Sequence, residues 1–346
     1  MKIRSNIKDY EVRFTNDFSF VDDLKFDNRY VVIDRVIYEK YGKILGNLLQ
    51  EGNHFIMDVK EENKTLRTVT DIIDRMTELR SRRNTKLIAI GGGIVQDVSC
   101  FVATVLYRGI DWYLVPTTLL AQTDSCIGSK SSINYCDKKN LLGTFYPPTE
   151  IVIDLGFLET LSRRDYYSGL GEILKCSIMQ GREIYSEMKR NLSRVLNGDR
   201  EILSHEIERT LRFKKSVIEV DEFDRDIRNI MNYGHTFGHA IESATHYIIP
   251  HGQAVSIGIA VANEISVMRG LLPVEYANEI FEIVKDITDV ESVPSADSVL
   301  HFMRSDKKYK GGKHTCILLY EDHVEKVDDV DDKEILEAVI KILGKI

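Results

Sequence analysis

The segment from residue 86 to residue 97 is KLIAIGGGIVQD. Apolar residues run directly into Gly91, Gly92 and Gly93, and a second apolar segment follows. This order predicts a buried strand at 86–90, a tight turn at the glycines and then a helix. Such glycines let backbone N–H groups approach a pyrophosphate, and a helix N-terminus favours its negative charge. A turn without a ligand is the alternative, because the segment lacks the GxGxxG spacing of a Rossmann fingerprint.

The alternation of strand and helix patterns extends over the first half of the chain. Apolar runs predict further strands at residues 30–33, 54–57, 112–115 and 151–153. Helical patterns follow the first two of these strands, through residue 49 and at residues 66–79. Strands that alternate with helices favour an α/β layer around a mainly parallel sheet. We therefore predict an α/β domain at residues 1–158.

The second half of the chain has a different pattern. Apolar residues at helical spacing predict helices at 163–192, 201–220, 226–247, 254–269 and 274–286. Gly169 and Gly171 interrupt the first of these patterns. The sequence thus predicts an all-α C-terminal domain at residues 159–346.

Composition narrows the class of protein. The chain has 346 residues, of which 43% are hydrophobic and 29% charged, and its net charge is -8. These values fit a globular protein of two domains, and the negative charge argues against nucleic acid or an anionic membrane as a partner. The sequence shows no signal-peptide core, no apolar run of about 18 residues and no CxxC pair among its five cysteines. We therefore expect a reduced, cytoplasmic setting.

Polar and charged residues are concentrated between residues 108 and 148. They lie among small residues, which allow close approach to a ligand, and their lysines suit a phosphate or a carboxylate. The set comprises Arg108, Asp124, Lys130, Asn134, Lys138, Lys139 and Asn140. An ordinary surface loop with solvated charges is the alternative interpretation.

Three histidines and a glutamate form a candidate metal site. His235 and His239, in GHTFGHAIE, are spaced i and i+4, so both project from one face of a helix. His251 follows in HGQAV, and Glu172 precedes them in GEILK. A carboxylate with two imidazoles is a normal catalytic zinc set that leaves one position open for a substrate. The spacing leaves open which histidine is not a ligand, and a purely structural histidine is the common alternative.

Several motifs, in their order and spacing, resemble the 3-dehydroquinate synthase family of the sugar phosphate cyclase superfamily. They are RGIDWYLVPTTLLAQTDS, GSK, KN, GEILK, NYGHTFGHAIE, HGQAV and DKK, and together they extend over nearly the whole chain. The resemblance implies an NAD-binding α/β domain, a helical domain that binds metal and substrate, an active site in the cleft between them, and a homodimer. It also implies an NAD- and metal-dependent carbon–oxygen lyase of the shikimate pathway, which leads to aromatic amino acids.

The resemblance assigns roles to particular residues. The ligands of a zinc or cobalt ion would be Glu172, His235 and His251. The catalytic residues would be Asp124, Lys130, Lys175, Lys214, Arg228, Asn232 and His239, and the substrate-binding residues would be Arg108, Lys139, Asn140, Lys307 and Lys308. The NAD site would comprise Asp34, Glu61, Lys64, Gly91, Gly92, Gly93, Asp97, Thr117, Thr118 and Thr160.

The implied reaction converts 3-deoxy-D-arabino-heptulosonate 7-phosphate, a small anionic sugar phosphate, into 3-dehydroquinate and phosphate. NAD would oxidise a ring hydroxyl, phosphate would leave, the hydride would return, and ring opening with an aldol step would close the carbocycle. Cyclases that act on sedoheptulose 7-phosphate or glucose 6-phosphate are one alternative, and metal-dependent polyol dehydrogenases of the same fold are another. Arg228, Asn232 and His239 favour the reaction that forms 3-dehydroquinate over those of the other cyclases. The cluster of lysines argues against a dehydrogenase, which would not need to bind phosphate; it comprises Lys130, Lys139, Lys175 and Lys214.

The chain departs from the family pattern at four places. GSKSS at residues 128–132 replaces the common GGKTA, and Asp137-Lys138 replaces Leu-Gly. Gln253 stands where glutamate is usual, and Gln96 stands where a smaller residue is common. These changes lie in the expected pocket, so they bear on the substrate more than on the class of reaction.

Some of the transferred residues have simpler alternatives in the sequence itself. Asp34 and Asp97 are each candidate helix caps. Glu61 and Lys64 have the i,i+3 spacing of a solvated ion pair. Lys214 adjoins Lys215, and only one of two neighbouring side chains can face inward on a helix.

Overall fold

The computed structural model describes residues 1–50, 52–136, 138–305 and 311–346. The chain divides into two compact units. The first comprises Met1–Leu161 with Lys214–Phe223, and the second comprises Ser162–Phe213 with Asp224–Ile346. The predicted boundary between residues 158 and 159 separates an NAD-binding domain from a metal- and substrate-binding domain. These two functional domains stay a prediction. The return of Lys214–Phe223 to the first unit has no counterpart in that prediction.

A mainly parallel sheet organises the first unit. Its strands and an additional hairpin are β1 (Lys2–Ile3), β2 (Tyr10–Thr15), β3 (Arg29–Asp34), β4 (His54–Met57), β5 (Lys86–Gly91), β6 (Trp112–Pro116), β7 (Lys130–Tyr135), β8 (Lys138–Phe145) and β9 (Glu150–Asp154). The strand order in the described sheet is β1-β2-β9-β6-β5-β3-β4. Neighbouring strands are parallel except β1 with β2. The predicted α/β class is confirmed.

Continuous apolar runs explain why these strands lie inside the first unit. A parallel sheet that is covered on both faces needs apolar residues at successive positions, and β3 and β5 both have them. Val31 and Ile33 of β3 and Ile88 and Ile90 of β5 are fully buried in one core cluster. The helices of this unit are α1 (Phe20–Asp23), α2 (Arg35–Tyr41), α3 (Leu66–Glu78) and α4 (Gly93–Val105).

The strand order creates a switch point between β3 and β5. Strand β3 pairs with β4 on one side and with β5 on the other, so the chain changes its direction across the sheet there. Open α/β sheets bind ligands in the crevice beyond the carboxyl ends of strands at such a point. Because β3 ends at Asp34 and β5 ends at Gly91, the glycine turn lies at this crevice.

The polar segment at residues 108–148 is not a simple surface loop. It contains β6, a π-helical turn at Ala121–Ser125 and the antiparallel hairpin of β7 and β8. The hairpin packs against α4, and Ile133 in β7 is fully buried. Sequence reasoning missed these two strands, because serine, asparagine and lysine weaken the apolar alternation that identifies a strand.

The second unit is mainly helical, which confirms the predicted character of the C-terminal half. Its helices are α5 (Arg163–Met179), α6 (Arg182–Leu196), the first part of α7 (Arg200–Ile218), α8 (His235–Ala244), α9 (His251–Met268), α10 (Val274–Asp286), α11 (Ala296–Arg304) and α12 (Asp332–Leu343). The prediction of an all-α domain is wrong in one place. An antiparallel hairpin joins β10 (Lys313–Leu319) to β11 (Val324–Asp331). The sequence of β11, VEKVDDVD, is too highly charged to indicate a strand without its partner.

Glycines with positive φ set two helix ends that the apolar pattern placed elsewhere. The pattern at 163–192 forms two helices, because Gly181 has φ +99° between α5 and α6. The pattern at 226–247 contains a 3-10 turn at Ile227–Asn232, and α8 begins only after Gly234, which has φ +77°. By contrast, Gly169 and Gly171 lie inside α5 and do not interrupt it.

Helix α9 forms the centre of the second unit. It is buried almost throughout, from Gly252 to Ser266, and α5, α8, α10 and α12 pack against it. The long apolar sequence of α9 therefore reflects its burial in the core of this unit. Among the described residues, no helix is both long enough and apolar enough to cross a lipid bilayer.

Candidate active site

The structure brings the three predicted metal ligands together within the second unit. Glu172 lies in α5, while His235 and His251 are the first residues of α8 and α9. Glu172 Oε1 lies 3.6 Å from His235 Nε2 and 3.8 Å from His251 Nε2. Ligand atoms at about 2.0–2.2 Å from a zinc ion in tetrahedral geometry are roughly 3.4 Å apart. One divalent cation therefore fits between these three side chains.

Burial of Glu172 supports this interpretation independently of the distances. The residue is fully buried, and within the described chain neither carboxylate oxygen has a hydrogen-bond partner. Oε2 lies 2.5 Å from Lys175 Nζ, so that contact is an ion pair without hydrogen-bond alignment. The pair with Lys175 offsets part of the cost of burying this carboxylate. Oε1 faces the two histidines without a hydrogen-bond donor, so it remains available to a cation. The donor set therefore fits a divalent cation.

The two histidines of this cluster present the same ring nitrogen to Glu172. His235 Nδ1 lies 3.2 Å from the Tyr233 carbonyl oxygen, and His251 Nδ1 lies 3.2 Å from Glu242 Oε2. A hydrogen bond at Nδ1 leaves the Nε2 lone pair available for a metal. Burial lowers the pKa of His235 well below its usual value, and the charge of Lys175 adds to the shift. A neutral imidazole is the form that binds a metal.

His239 does not belong to this ligand set. It is exposed, and its ring centroid lies 5.5 Å from that of His235 and 5.8 Å from that of His251. A second group, His239, Glu242 and His251, also has donor atoms close enough for a cation. We prefer the first group as the cation site, because its carboxylate is buried without hydrogen bonds whereas Glu242 already contacts His251 Nδ1.

Close helix packing explains how residues so far apart in sequence meet. A Cβ atom at Gly252 would lie 1.7 Å from the carbonyl oxygen of Ser168, so only glycine allows α9 to approach α5 there. At Gly234, a Cβ atom would lie 2.7 Å from the carbonyl oxygen of Val255 in α9. The flanking glycines of the motifs therefore bring the ligand-bearing turns of α5, α8 and α9 together.

The remaining predicted residues of the second unit lie near these elements in sequence. Arg228 is buried and Asn232 half-buried, and both lie in the 3-10 turn that precedes α8. Lys175 is buried beside Glu172. Lys307 and Lys308 lie outside the described residues. The catalytic and substrate roles of all five stay predictions.

The predicted NAD residues of the first unit follow the carboxyl ends of its strands. Asp34 ends β3, Glu61 and Lys64 follow β4, the three glycines join β5 to α4, Thr117 and Thr118 follow β6, and Thr160 follows β9. Parallel strands end at the same edge of a sheet, which explains why residues so dispersed in sequence share one edge. A Cβ atom at Gly92 would lie 3.1 Å from Thr118 Cγ2, so the turn leaves little room for any side chain there.

Asp34 also has a local structural role. Its side chain accepts a hydrogen bond of 2.7 Å from Val36 N, and it caps α2. Burial raises the pKa of this carboxyl group above its usual value. Thr160 contacts the same helix, since its hydroxyl lies 2.9 Å from the Tyr41 hydroxyl. The cap alternative for Asp34 is thus confirmed, and its contact with NAD stays a prediction.

Lys64 is buried and contacts Asp97 and Asn140, rather than forming a solvated pair with Glu61. Its Nζ lies 2.5 Å from Asp97 Oδ2 and donates to Asn140 Oδ1 at 2.8 Å. Asp97 lies within α4 and also accepts from Ser132 N at 3.1 Å, so it is not a helix cap. Burial raises the pKa of Asp97, and the charge of Lys64 opposes that shift. The i,i+3 pair was the wrong alternative.

Asn134 joins the two strands of the β7–β8 hairpin to Glu61. Asn134 donates to Glu61 Oε1 at 2.8 Å and accepts from Asn140 N at 2.9 Å. Lys139 Nζ lies 3.8 Å from Glu61 Oε1. A cavity of about 550 Å³ is lined by Glu61, Asn134 and Lys139, together with Thr65, Arg67 and Lys138. Its size is within the range of small-molecule sites.

Lys214 is the inward-facing member of its lysine pair. It is buried, and its Nζ donates to Asp124 Oδ1 at 2.7 Å and also to the Asp124 carbonyl oxygen. Lys215 is half-buried and lies 3.6 Å from Glu219. The structure thus joins two predicted catalytic residues, Asp124 and Lys214, in one contact. Lys130 is the exposed first residue of β7.

Arg108 is not brought to the same place. It is exposed and has φ +62°, and it lies between the end of α4 and the start of β6. In a parallel sheet this is the edge where strands begin, opposite to the glycine turn. The structure therefore does not place Arg108 with the other predicted residues of the first unit.

Glu222 is a residue of the first unit that sequence reasoning missed. It is buried and accepts from Ser5 Oγ at 2.7 Å, Asn6 N at 2.7 Å, Asn6 Nδ2 at 3.1 Å and Ser129 Oγ at 3.1 Å. Ser129 precedes Lys130 and has φ +61°, a conformation that favours the glycine common in the family. These hydrogen bonds therefore hold the altered GSKSS segment against the start of the chain.

The other departures have structural explanations of their own. Gln253 is fully buried, donates to the Arg164 carbonyl oxygen at 3.0 Å and accepts from Asp289 N at 2.9 Å. Gln96 donates to the Ser125 carbonyl oxygen at 2.6 Å and accepts from its hydroxyl at 2.9 Å. Both glutamines form hydrogen bonds with backbone groups of other segments. Asp137 lies outside the described residues.

Replacement of Glu222 by alanine should destabilise the protein by about 3 kcal/mol, because four donors, one of them the buried Ser129 hydroxyl, would lose their acceptor at once. Unfolding in urea would measure the loss. Glu208→Ala is the matched control, since its pair with Arg212 is exposed and is expected to contribute about 0.5 kcal/mol or less. Equal unfolding free energies for the two variants would contradict a stabilising role for Glu222.

Solved structures with the same fold define the general class of this protein. A 2-deoxy-scyllo-inosose synthase, in complex with carbaglucose-6-phosphate, NAD+ and Co2+, has a TM-score of 0.87 and 25% identity, with 99% of each chain covered. A 2-epi-5-epi-valiolone synthase from Streptomyces hygroscopicus subsp. jinggangensis, with NAD+ and Zn2+ bound, has a TM-score of 0.85 and 24% identity, with 97% of each chain covered. The second likeness concerns the fold alone. Together with the three-ligand cluster, these matches define a protein of the sugar phosphate cyclase class.

Sequence comparisons specify the family within this class. The family models described as 3-dehydroquinate synthase N-terminal and C-terminal match residues 54–168 and 169–309. The 3-dehydroquinate synthase of Acetivibrio thermocellus is 32% identical over 360 aligned positions, which cover 100% of both chains. The chain belongs to the 3-dehydroquinate synthase family.

Proposed function

We propose that this protein converts 3-deoxy-D-arabino-heptulosonate 7-phosphate into 3-dehydroquinate and phosphate, with NAD recycled in each turnover. The observation that carries the proposal is the cluster of Glu172, His235 and His251 in a chain that matches its family over its full length. The enzyme class is that of carbon–oxygen lyases acting on phosphates. The wider relation to cyclases that bind NAD with Co2+ or Zn2+ supports the same cofactors here.

The chain's own residues would position and stabilise the substrate. Bound NAD would supply a reversible hydride acceptor, and a bound divalent cation would supply a Lewis acid at Glu172, His235 and His251. Lys130 and Lys139 would hold the phosphate by charge-assisted hydrogen bonds, and Lys214 and Arg228 would hold the carboxylate. Most of the rate enhancement would then come from positioning and electrostatic stabilisation.

Asp124 would orient the ammonium group of Lys214. Its carboxylate and carbonyl oxygen both accept from Lys214 Nζ, which fixes the ammonium group beside the turn at Ala121–Ser125. An ammonium group has three donors, so this arrangement leaves a further donor for an anionic group. The pair would therefore provide a fixed cation with little loss of side-chain entropy on binding.

The proposal extends to the assembly and location of the protein. Family membership supports a homodimer in the cytoplasm, with a small anionic sugar phosphate as substrate and no nucleic acid or membrane partner. The net charge of -8 is consistent with a local cationic pocket rather than a basic surface.

A purified sample with NAD and Zn2+ should release phosphate from 3-deoxy-D-arabino-heptulosonate 7-phosphate without net formation of NADH. A chelator should abolish the release, and added Zn2+ or Co2+ should restore it, because the ligand set suits either ion. Parallel assays with sedoheptulose 7-phosphate and glucose 6-phosphate would test the substrate, to which the altered GSKSS segment is relevant.

Two outcomes would replace this proposal with an alternative. Release of phosphate only from sedoheptulose 7-phosphate or glucose 6-phosphate would identify a related cyclase. Accumulation of NADH with a polyol, without any release of phosphate, would identify a dehydrogenase of the same fold.

A further inference from the structure

Glu242 shares one face of α8 with two histidines. His235, His239 and Glu242 are spaced i, i+4 and i+7 in this helix, so their side chains project in nearly the same direction. The side chain of Glu242 is only 13% exposed. A carboxylate at this position must lie close to the imidazole cluster.

The direct contact of Glu242 is with the other imidazole, that of His251. Its Oε2 lies 3.2 Å from His251 Nδ1, while His251 Nε2 lies 3.8 Å from Glu172 Oε1. The ring therefore lies between two carboxylates, with one nitrogen toward each. A neutral imidazole that donates Nδ1–H to Glu242 must carry its lone pair on Nε2, toward Glu172.

The two histidines differ in how firmly the fold holds them. The side chain of His235 is 12% exposed, and its Nδ1 faces the carbonyl oxygen of Tyr233, a fixed backbone group. The side chain of His251 is 29% exposed, and this residue is the first of α9, after Pro250. At Nδ1, Glu242 thus supplies to His251 the contact that a backbone carbonyl supplies to His235.

We infer that Glu242 is a positioning residue for the divalent cation, and acts through the ring orientation and tautomer of His251. The inference rests on the metal site of the proposed function and deepens it. Its carboxylate also places a second negative charge near the cation. Because Lys175 already pairs with Glu172, that charge offsets part of the positive charge of the loaded site.

Metal affinity tests this inference without any measurement of turnover. Apo protein would be titrated with Co2+ in competition with a chelator of known affinity, for the wild type, Glu242→Ala and Glu242→Gln. Loss of such an outer carboxylate typically weakens metal binding by about 10–100-fold, which we expect for Glu242→Ala. Glu242→Gln keeps an acceptor and should lose about tenfold or less.

Two controls separate positioning from a general effect on folding. Glu337→Gln removes a charge from the exposed face of α12 in the same unit and should leave Co2+ affinity unchanged. Thermal unfolding of each apo variant would show that it is folded. The visible absorption of bound Co2+ should keep its intensity in Glu242→Gln, because the ligand atoms themselves are unchanged.

Each result decides between specific alternatives. Equal Co2+ affinity in the wild type and in Glu242→Ala would overturn the inference. So would binding of two Co2+ ions per chain with loss of only one in the variant, since His239, Glu242 and His251 would then be a separate cation site. Absence of phosphate release by metal-loaded wild-type protein, with the affinity difference intact, would refute the proposed reaction and leave the role of Glu242 standing.

Discussion

Glu172→Ala should lower metal-dependent phosphate release by about a thousandfold or more and should abolish tight binding of the metal. A bound Lewis acid contributes several kcal/mol to such a reaction, and each 1.4 kcal/mol is about a factor of ten in rate. Glu172 is the only carboxylate in the predicted ligand set, and it is fully buried. Its removal would leave two imidazoles beside the buried charge of Lys175, which repels a cation.

Metal content after dialysis and the rate of phosphate release would be measured together. Glu172→Gln preserves the shape of the side chain and should show nearly the same loss, because the charge on the ligand is what the cation needs. The exposed substitution Glu337→Gln should retain both metal and activity. A Glu172→Ala protein that keeps one tightly bound metal ion and normal turnover would disprove the assigned ligand set.

Gly252→Ala should destabilise the folded protein by about 3 kcal/mol, the upper part of the usual range for overpacking. The new methyl group would lie 1.7 Å from the carbonyl oxygen of Ser168 and 2.6 Å from its carbonyl carbon. Both are backbone atoms and cannot rotate away, so α5 and α9 would have to separate. His251 is the preceding residue, and metal affinity should therefore fall with stability.

Gly46→Ala is the matched control for this substitution. A Cβ atom at Gly46 would have no other heavy atom within 4 Å, so the same chemical change should be nearly neutral there. Chemical denaturation of both variants, with and without Zn2+, would measure the effect on stability and on the metal together. The packing argument would be untenable if the two variants unfolded at the same denaturant concentration.

The local sequence was sufficient to predict features that depend only on residues close together in the chain. The run KLIAI into three glycines determined a buried parallel strand followed by a helix, because burial on both faces requires continuous apolar residues. The i,i+4 spacing of His235 and His239 determined that both project from α8. The charged sequence of β11, in contrast, indicated no strand, because its strand conformation depends on pairing with β10.

Contacts between distant parts of the chain could be decided only by the tertiary structure. The sequence spacing left open which histidine is not a ligand. Helix packing at Gly252 and Gly234 brings His235 and His251, rather than His239, close to Glu172. Glu242 lies within the same motif as His235, yet its partner belongs to another helix. A side chain's neighbours in space depend on how helices pack, and sequence spacing specifies only the helix face from which that side chain projects.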